Sequence, residues 1–164
     1  MSQAPTTTPF IRRSVSLGTL VLIASISGCG GGSDSASTAP SPAPAPATRS
    51  ISTTVIDGAL QNVKVCLDRN DNGSCDTGEP SAVTNASGQA SLEVPEADVG
   101  KFPILALVTK ASVDADTGAV PVAFMLRAPA DQPGVVSPLS TLVHAHSQAT
   151  GSSTSDAAAA IQSQ

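Results

Sequence analysis

The stretch that decides the fold is residues 63–79, which read VKVCLDRNDNGSCDTGE. Its first five residues alternate between aliphatic side chains and Lys64 or Cys66, a pattern typical of a half-buried strand. The next twelve residues, 68–79, carry oxygen-bearing side chains at nearly every second position. Gly73 lies in the middle of this run, where the backbone must turn sharply. The sequence therefore predicts a strand that runs directly into a polar loop.

The order of oxygens in this loop resembles that of an EF-hand calcium loop. Most of the predicted ligands would bind through side-chain oxygens. Ser74 would offer its backbone carbonyl instead, and Asp76 could act through water. The full predicted set is Asp68, Asn70, Asn72, Ser74, Asp76 and Glu79. Asp71 is expected to face solvent. Since a strand enters and Pro80 prevents an exiting helix, the pattern predicts a Ca²⁺ loop on a β scaffold. The alternative is an Asx-rich turn that binds no metal.

Composition limits the class of protein. A chain of 164 residues allows one modest domain, and with 40% hydrophobic but only 2% aromatic residues its core must be aliphatic. The 13 acidic residues outnumber the 8 basic ones, which argues against a nucleic-acid partner.

The N-terminal part has the pattern of an export signal. Two arginines at 12–13 precede an apolar run over residues 15–26, too short to span a membrane comfortably. The sequence Ile26-Ser27-Gly28-Cys29 resembles the lipobox of bacterial lipoproteins. This resemblance implies a signal peptide over 1–28, diacylglycerol on Cys29, and, with Gly30 following, sorting to the outer membrane. An ordinary signal peptide or a buried helix are the alternatives.

The three cysteines can be divided on this basis. Lipidation of Cys29 leaves Cys66 and Cys75, and in an exported protein we expect these two to form a disulfide. Two free buried thiols are the alternative. Residues 29–49 are rich in Gly, Ser, Pro and Ala, which predicts a disordered tether.

The remaining chain divides into a β domain over 50–130 and a helical tail over 131–164. Short strand patterns alternate with turn signals, which favours a small all-β sandwich; the strands are predicted at 51–56, 63–67, 90–94, 104–108 and 122–126. Ser137 and Pro138 predict a helix start, and Gly151 its end. A second start near Ser155 is too short to be stable alone, so one short helix is predicted and the chain is interpreted as truncated.

A family resemblance covers most of residues 51–145. The chain resembles transthyretin-like (carboxypeptidase-regulatory or Cna-B-type) modules of bacterial surface lipoproteins. The segments that carry the resemblance are 55–58, 63–68, 78–80, 84–88 and 136–143. One departure is that no aromatic residue follows the turn glycine Gly88. The resemblance implies a transthyretin-like β-sandwich that acts as a non-enzymatic surface or spacer module.

The sequence offers no catalytic motif that pairs a nucleophile with a base. His144 and His146 are two apart, so on a helix they point in different directions, and both are expected to face solvent. We interpret the chain as a non-enzymatic outer-membrane lipoprotein with a structural or adhesive role and a surface protein or polysaccharide as partner. The alternatives are a regulatory or spacer module of a longer surface enzyme and a periplasmic metal-binding protein.

Overall fold

The computed structural model describes residues 46–163. The predicted signal peptide, Cys29 and the tether up to residue 45 lie outside this range. The elements in chain order are β1 Thr48–Val55, β2 Leu60–Gln61, β3 Lys64–Leu67, β4 Ser81–Val83, β5 Gln89–Pro95, a 3₁₀ helix Glu96–Asp98, β6 Ile104–Val108, β7 Val113–Asp114, β8 Gly118–Ala119, β9 Phe124–Ala128, β10 Val135–Val136, α1 Pro138–Thr150 and α2 Thr154–Gln162.

The strands form two larger sheets, with orders β10-β1-β5 and β4-β3-β6-β9, and a small sheet with order β2-β7-β8. β1 pairs antiparallel with β5 and parallel with β10, so that Val55 lies opposite Val136. The prediction of a mainly β fold is therefore confirmed. Two details differ from expectation: Thr48 and Arg49 belong to β1 and not to a tether, and β10 comes from the predicted helical tail.

Aliphatic side chains from both larger sheets share one core, as the composition required. β5 illustrates how the sequence achieves this, since its side chains alternate between buried and exposed along the strand. Burial of each Val, Leu or Ile contributes about 1.5–3 kcal/mol. The fully buried aliphatic side chains include Val55, Leu60, Val63, Val65, Leu67, Leu92, Val94, Ile104 and Val136.

The two faces of the four-stranded sheet are covered differently. β6 lies between β3 and β9, and its alternate residues Ile104, Ala106 and Val108 belong to the core. Leu105 points to the other face of the sheet, where its cross-strand neighbour is Cys66 of β3. Both side chains are fully buried as well. The sheet is therefore covered on both sides, which explains why the sequence of β6 is continuously apolar.

The turn before β5 requires a glycine. Gly88 has a φ of 73°, and a Cβ there would lie 2.5 Å from the carbonyl oxygen of Val55. The close approach allows Gly88 to accept a 2.8 Å hydrogen bond from the backbone N–H of Val55. The turn that ends at Gly88 thus also positions β5 against β1.

The first helix begins and ends where the sequence predicted. The Ser137 side chain caps α1 by accepting from the Ser140 backbone N–H, Pro138 occupies the first turn, and Gly151 ends the helix with a φ of 68°. Two of its leucines lie at the surface, since Leu139 and Leu142 are 53% and 57% exposed. No helix within residues 46–163 is long and apolar enough to cross a membrane.

The chain forms two helices in its tail, where one was predicted. α2 packs on α1 and is capped by Ser153, which accepts from the Asp156 backbone N–H. Ala157 is fully buried, and the Thr154 hydroxyl donates to Asp131 Oδ1 at 2.8 Å. These tertiary contacts, and not the intrinsic propensity of nine residues, stabilise the helix.

Candidate functional site

The polar loop is fastened to the sheet by a disulfide. Cys66 on β3 bonds to Cys75 in the loop, with 5.6 Å between their Cα atoms, so the predicted pairing is confirmed. Lys64, two residues earlier on the same strand, directs its Nζ to the carbonyl oxygen of Cys75 at 3.4 Å. The second half of the loop therefore lies over the face of the four-stranded sheet that carries Cys66, on the side away from the core.

Asp68 organises the first half of the loop. It is fully buried at the end of β3, and its carboxylate accepts two backbone N–H groups, from Asn72 at 3.1 Å and from Gly73 at 2.9 Å. Gly73 needs to be glycine, because its φ is 76° and a Cβ would lie 3.1 Å from Arg127 Nη2. The turn predicted at Gly73 is thus wound around a buried carboxylate.

Glu79 closes the loop. Its Oε1 accepts from the Arg69 backbone N–H at 2.8 Å, and its Oε2 accepts from the Asp76 backbone N–H at 2.9 Å. Arg69 in turn donates from Nη1 to the carbonyl of Gly78 and forms an ion pair with Asp98 at 2.6 Å. One carboxylate therefore joins the beginning of the loop to its end.

The remaining predicted ligands gather on Asp76. Its Oδ2 accepts from Nδ2 of Asn70 at 3.0 Å and from Nδ2 of Asn72 at 2.8 Å. The hydrogen bond from Asn70, followed by that from Asn72, lowers the pKa of Asp76 below its ordinary value. Ser74 is exposed, and its backbone N–H donates to Asn72 Oδ1 at 2.8 Å.

These contacts define how the loop could accommodate a cation. Within residues 46–163 no three side chains of the His, Cys, Asp and Glu types lie close enough together to hold a metal ion. The predicted set also uses amide and backbone oxygens, from Asn70, Asn72 and Ser74. At present the side-chain amides of Asn70 and Asn72 direct Nδ2 towards Asp76. To bind a cation beside Asp76, both amides would have to turn so that Oδ1 takes the place of Nδ2. The donor types fit Ca²⁺, and binding would replace hydrogen bonds within the loop.

A second group of residues, which sequence reasoning missed, holds the outer side of the loop. Asp71 is exposed, as expected, with 37% of its side chain accessible, but its Oδ1 also accepts from Nη1 of Arg127 on β9. Arg127 Nη2 also lies 3.7 Å from Oδ2 of Asp68. Gln148 on α1 donates to Asp71 Oδ2 at 3.4 Å. The only signal in the sequence was an arginine within an apolar strand.

His144 completes this group, contrary to the prediction that it faces solvent. Its side chain is 8% exposed, and its Nε2 lies 3.8 Å from Asp71 Oδ1 without a hydrogen-bond partner. Burial lowers the pKa of His144 below its ordinary value, while the nearby Asp71 carboxylate opposes this effect. The net lowering of the pKa favours the neutral imidazole. The imidazole lines an open cavity of about 410 Å³ between the loop and α1, together with Asp71, Arg127, Thr141, Ala145 and Gln148.

Comparison of the chain with protein-family models, with curated proteins and with solved structures gives no match. The resemblances to transthyretin-like modules and to lipoproteins therefore stay predictions.

Proposed function

We propose that the chain is a non-enzymatic, lipid-anchored protein of the bacterial outer membrane. Its β domain has a structural or adhesive role towards a surface protein or polysaccharide, and its loop binds Ca²⁺. The observation that carries this proposal is the loop between Asp68 and Glu79. It combines an EF-hand-like order of oxygens with a disulfide that fastens it to a sheet.

Calcium would act on the stability of the loop and not as a cytosolic signal. Asp68, Asp76 and Glu79 bring three negative charges into one loop, and a divalent cation bound to the loop would offset their mutual repulsion. An extracellular site of this kind needs a dissociation constant of only about 10⁻⁴–10⁻³ M. At free calcium near 100 times that constant, binding adds about 2.7 kcal/mol to the free energy of unfolding.

The test is the melting temperature of the purified chain with Ca²⁺, with Mg²⁺ and with a chelator. We expect Ca²⁺ to raise the Tm, and Mg²⁺ to do so poorly because it demands a tighter octahedron. Glu79→Gln should remove most of the Ca²⁺ response, since it loses one carboxylate oxygen. Glu93→Gln, on the exposed face of β5, is the matched control and should keep the response. A Tm that is the same with chelator and with Ca²⁺ would show that the loop is a turn that binds no Ca²⁺.

The anchor is tested separately, by mass spectrometry of the mature protein from a bacterial host. We expect an acylated Cys29 as the first residue, and Cys29→Ala should release the protein from the membrane fraction. The apolar anchor would then be missing, and the Gly/Ser/Pro/Ala-rich tether offers nothing apolar to insert. A mature protein cut elsewhere, with a free Cys29 thiol, would contradict the proposal.

A further inference from the structure

We propose that Asn72 is a site of spontaneous deamidation, which the closed loop suppresses and which opening of the loop activates. Asn72 is exposed, and Gly73 follows it. The chain contains four asparagines, at 62, 70, 72 and 85, and only Asn72 precedes a glycine. A glycine in this place favours the reaction, because it has no side chain to hinder approach of its backbone nitrogen.

The reaction needs no partner other than water. The backbone nitrogen of Gly73 attacks Cγ of Asn72, so that a new N–Cγ bond forms while the Cγ–Nδ2 bond breaks. Ammonia leaves and takes up the proton from the Gly73 nitrogen. Water then opens the resulting succinimide at either carbonyl, which gives aspartate or isoaspartate. No electrons are transferred at any step.

In the closed loop both reacting groups are occupied. The Gly73 N–H, which supplies the nucleophile, donates to Oδ2 of the fully buried Asp68 at 2.9 Å. A carboxylate acceptor keeps the proton on this nitrogen and fixes its direction. The Asn72 carboxamide is held at both ends, since Oδ1 accepts from Ser74 and Nδ2 donates to Asp76 Oδ2, each at 2.8 Å. Attack therefore requires several hydrogen bonds to break together.

The disulfide controls how easily this happens. Cys75 lies two residues beyond Gly73, and its bond to Cys66 holds this part of the loop against β3. Reduction removes that restraint, and the loop is then kept closed by its hydrogen bonds and by the ion pairs of Arg69 and Arg127. We therefore expect the rate of deamidation to report the oxidation state of the loop.

Both products hinder the loop from closing again, for different reasons. Aspartate at position 72 would place a carboxylate against Asp76 Oδ2, where an amide now donates. Isoaspartate inserts an extra carbon into the backbone immediately before Gly73. This displaces the Gly73 N–H from Asp68. The modification therefore turns a temporary opening into a lasting one, whether or not the loop binds metal.

The experiment incubates the full chain at mildly alkaline pH with a chelator in every sample, so that the result does not depend on calcium. Three samples are compared: native, native with a thiol reductant, and reduced in urea. Acid quenching and pepsin digestion precede mass spectrometry, which follows the mass gain from amide to acid. Asn85, followed by alanine, is the internal control.

We expect deamidation at Asn72 to be at least about tenfold slower in the native sample than in urea, equivalent to an opening cost of about 1.4 kcal/mol. Reductant should raise the native rate severalfold, while the rate at Asn85 changes little. Asp68→Asn should also raise the rate at Asn72. Asp116→Asn, in the β7–β8 turn, is the matched control and should not.

Equal rates at Asn72 in native and urea samples would overturn the proposal. So would protection that is unchanged by reductant, or a wild-type rate in an Asp68→Asn chain with a native circular-dichroism spectrum. If Asp68→Asn does not fold, the three wild-type samples decide the matter.

Discussion

Arg127 donates from Nη1 to Oδ1 of Asp71, and these two residues are 56 positions apart in the chain. The guanidinium lies between the sheet and the loop, because Nη2 of the same side chain is 3.7 Å from Oδ2 of the buried Asp68. On its other side Asp71 accepts from Gln148 of α1. Asp71 thus links the polar loop to β9 through an ion pair and to the first helix through a hydrogen bond.

Arg127→Ala should destabilise the fold. The Arg127 side chain is 18% exposed and Asp68 is fully buried, so the substitution leaves a buried carboxylate without its nearest cation. We expect the free energy of unfolding to fall by about 1–3 kcal/mol, measured by urea denaturation. Arg49→Ala, on an exposed position of β1, is the control and should change it by less than about 0.5 kcal/mol. Equal effects of the two substitutions would show that the ion pair contributes nothing.

Asp71→Asn separates the outer side of the loop from its predicted metal ligands. The variant loses the charge that pairs with Arg127, and since Asp71 is 37% exposed we expect a loss of about 0.2–1 kcal/mol. The rise of the Tm with Ca²⁺ should persist, because Asp71 is not a predicted ligand. A calcium titration of the variant followed by calorimetry measures both quantities. Loss of the Ca²⁺ response would place Asp71 among the ligands.

Much of the fold could be predicted because its signals are local. The alternation in β5, the turn at Gly88 and the Ser137 cap of α1 depend on neighbouring residues and backbone conformation. The pairing of Cys66 with Cys75 also spans only nine positions. Each of these features is formed by residues that are close together in the chain, so the local sequence is enough to predict it.

The environment of the loop could not be predicted in the same way. That Asp71 meets Arg127 depends on the packing of β9 beside β6, and no periodicity records this. The burial of His144 depends on which side of α1 packs against the rest of the domain. The helix buries Val143 and His144, while Leu139 and Leu142 are exposed. α2 was missed for the same reason, since its stability comes from contacts with α1 and Asp131.

Removal of the disulfide should lower stability without unfolding the sheets. For a loop closed across a separation of nine residues, the chain-entropy relation gives about 2–3 kcal/mol. We expect this loss in the Cys66→Ala/Cys75→Ala double variant, measured as a shift of the urea midpoint. Thiol labelling of the denatured, unreduced mature protein should find neither cysteine free. Two labelled sites would contradict the bridge.

The pH dependence of stability should report the burial of His144. Because burial lowers its pKa in the folded state, the unfolded chain binds more protons once the pH falls below the ordinary value of 6.5. The free energy of unfolding therefore rises with pH through this window. The stability that comes from keeping His144 neutral is fully present above pH 6.5, and it is lost as the pH falls towards the folded-state pKa. The charged groups that face His144 are Asp71, Arg127 and Asp68. We expect His144→Gln to flatten the dependence of the free energy of unfolding on pH below 6.5, measured by urea denaturation across this pH range. Identical profiles for the wild type and His144→Gln would show that the imidazole protonates as readily in the folded chain as in the unfolded one.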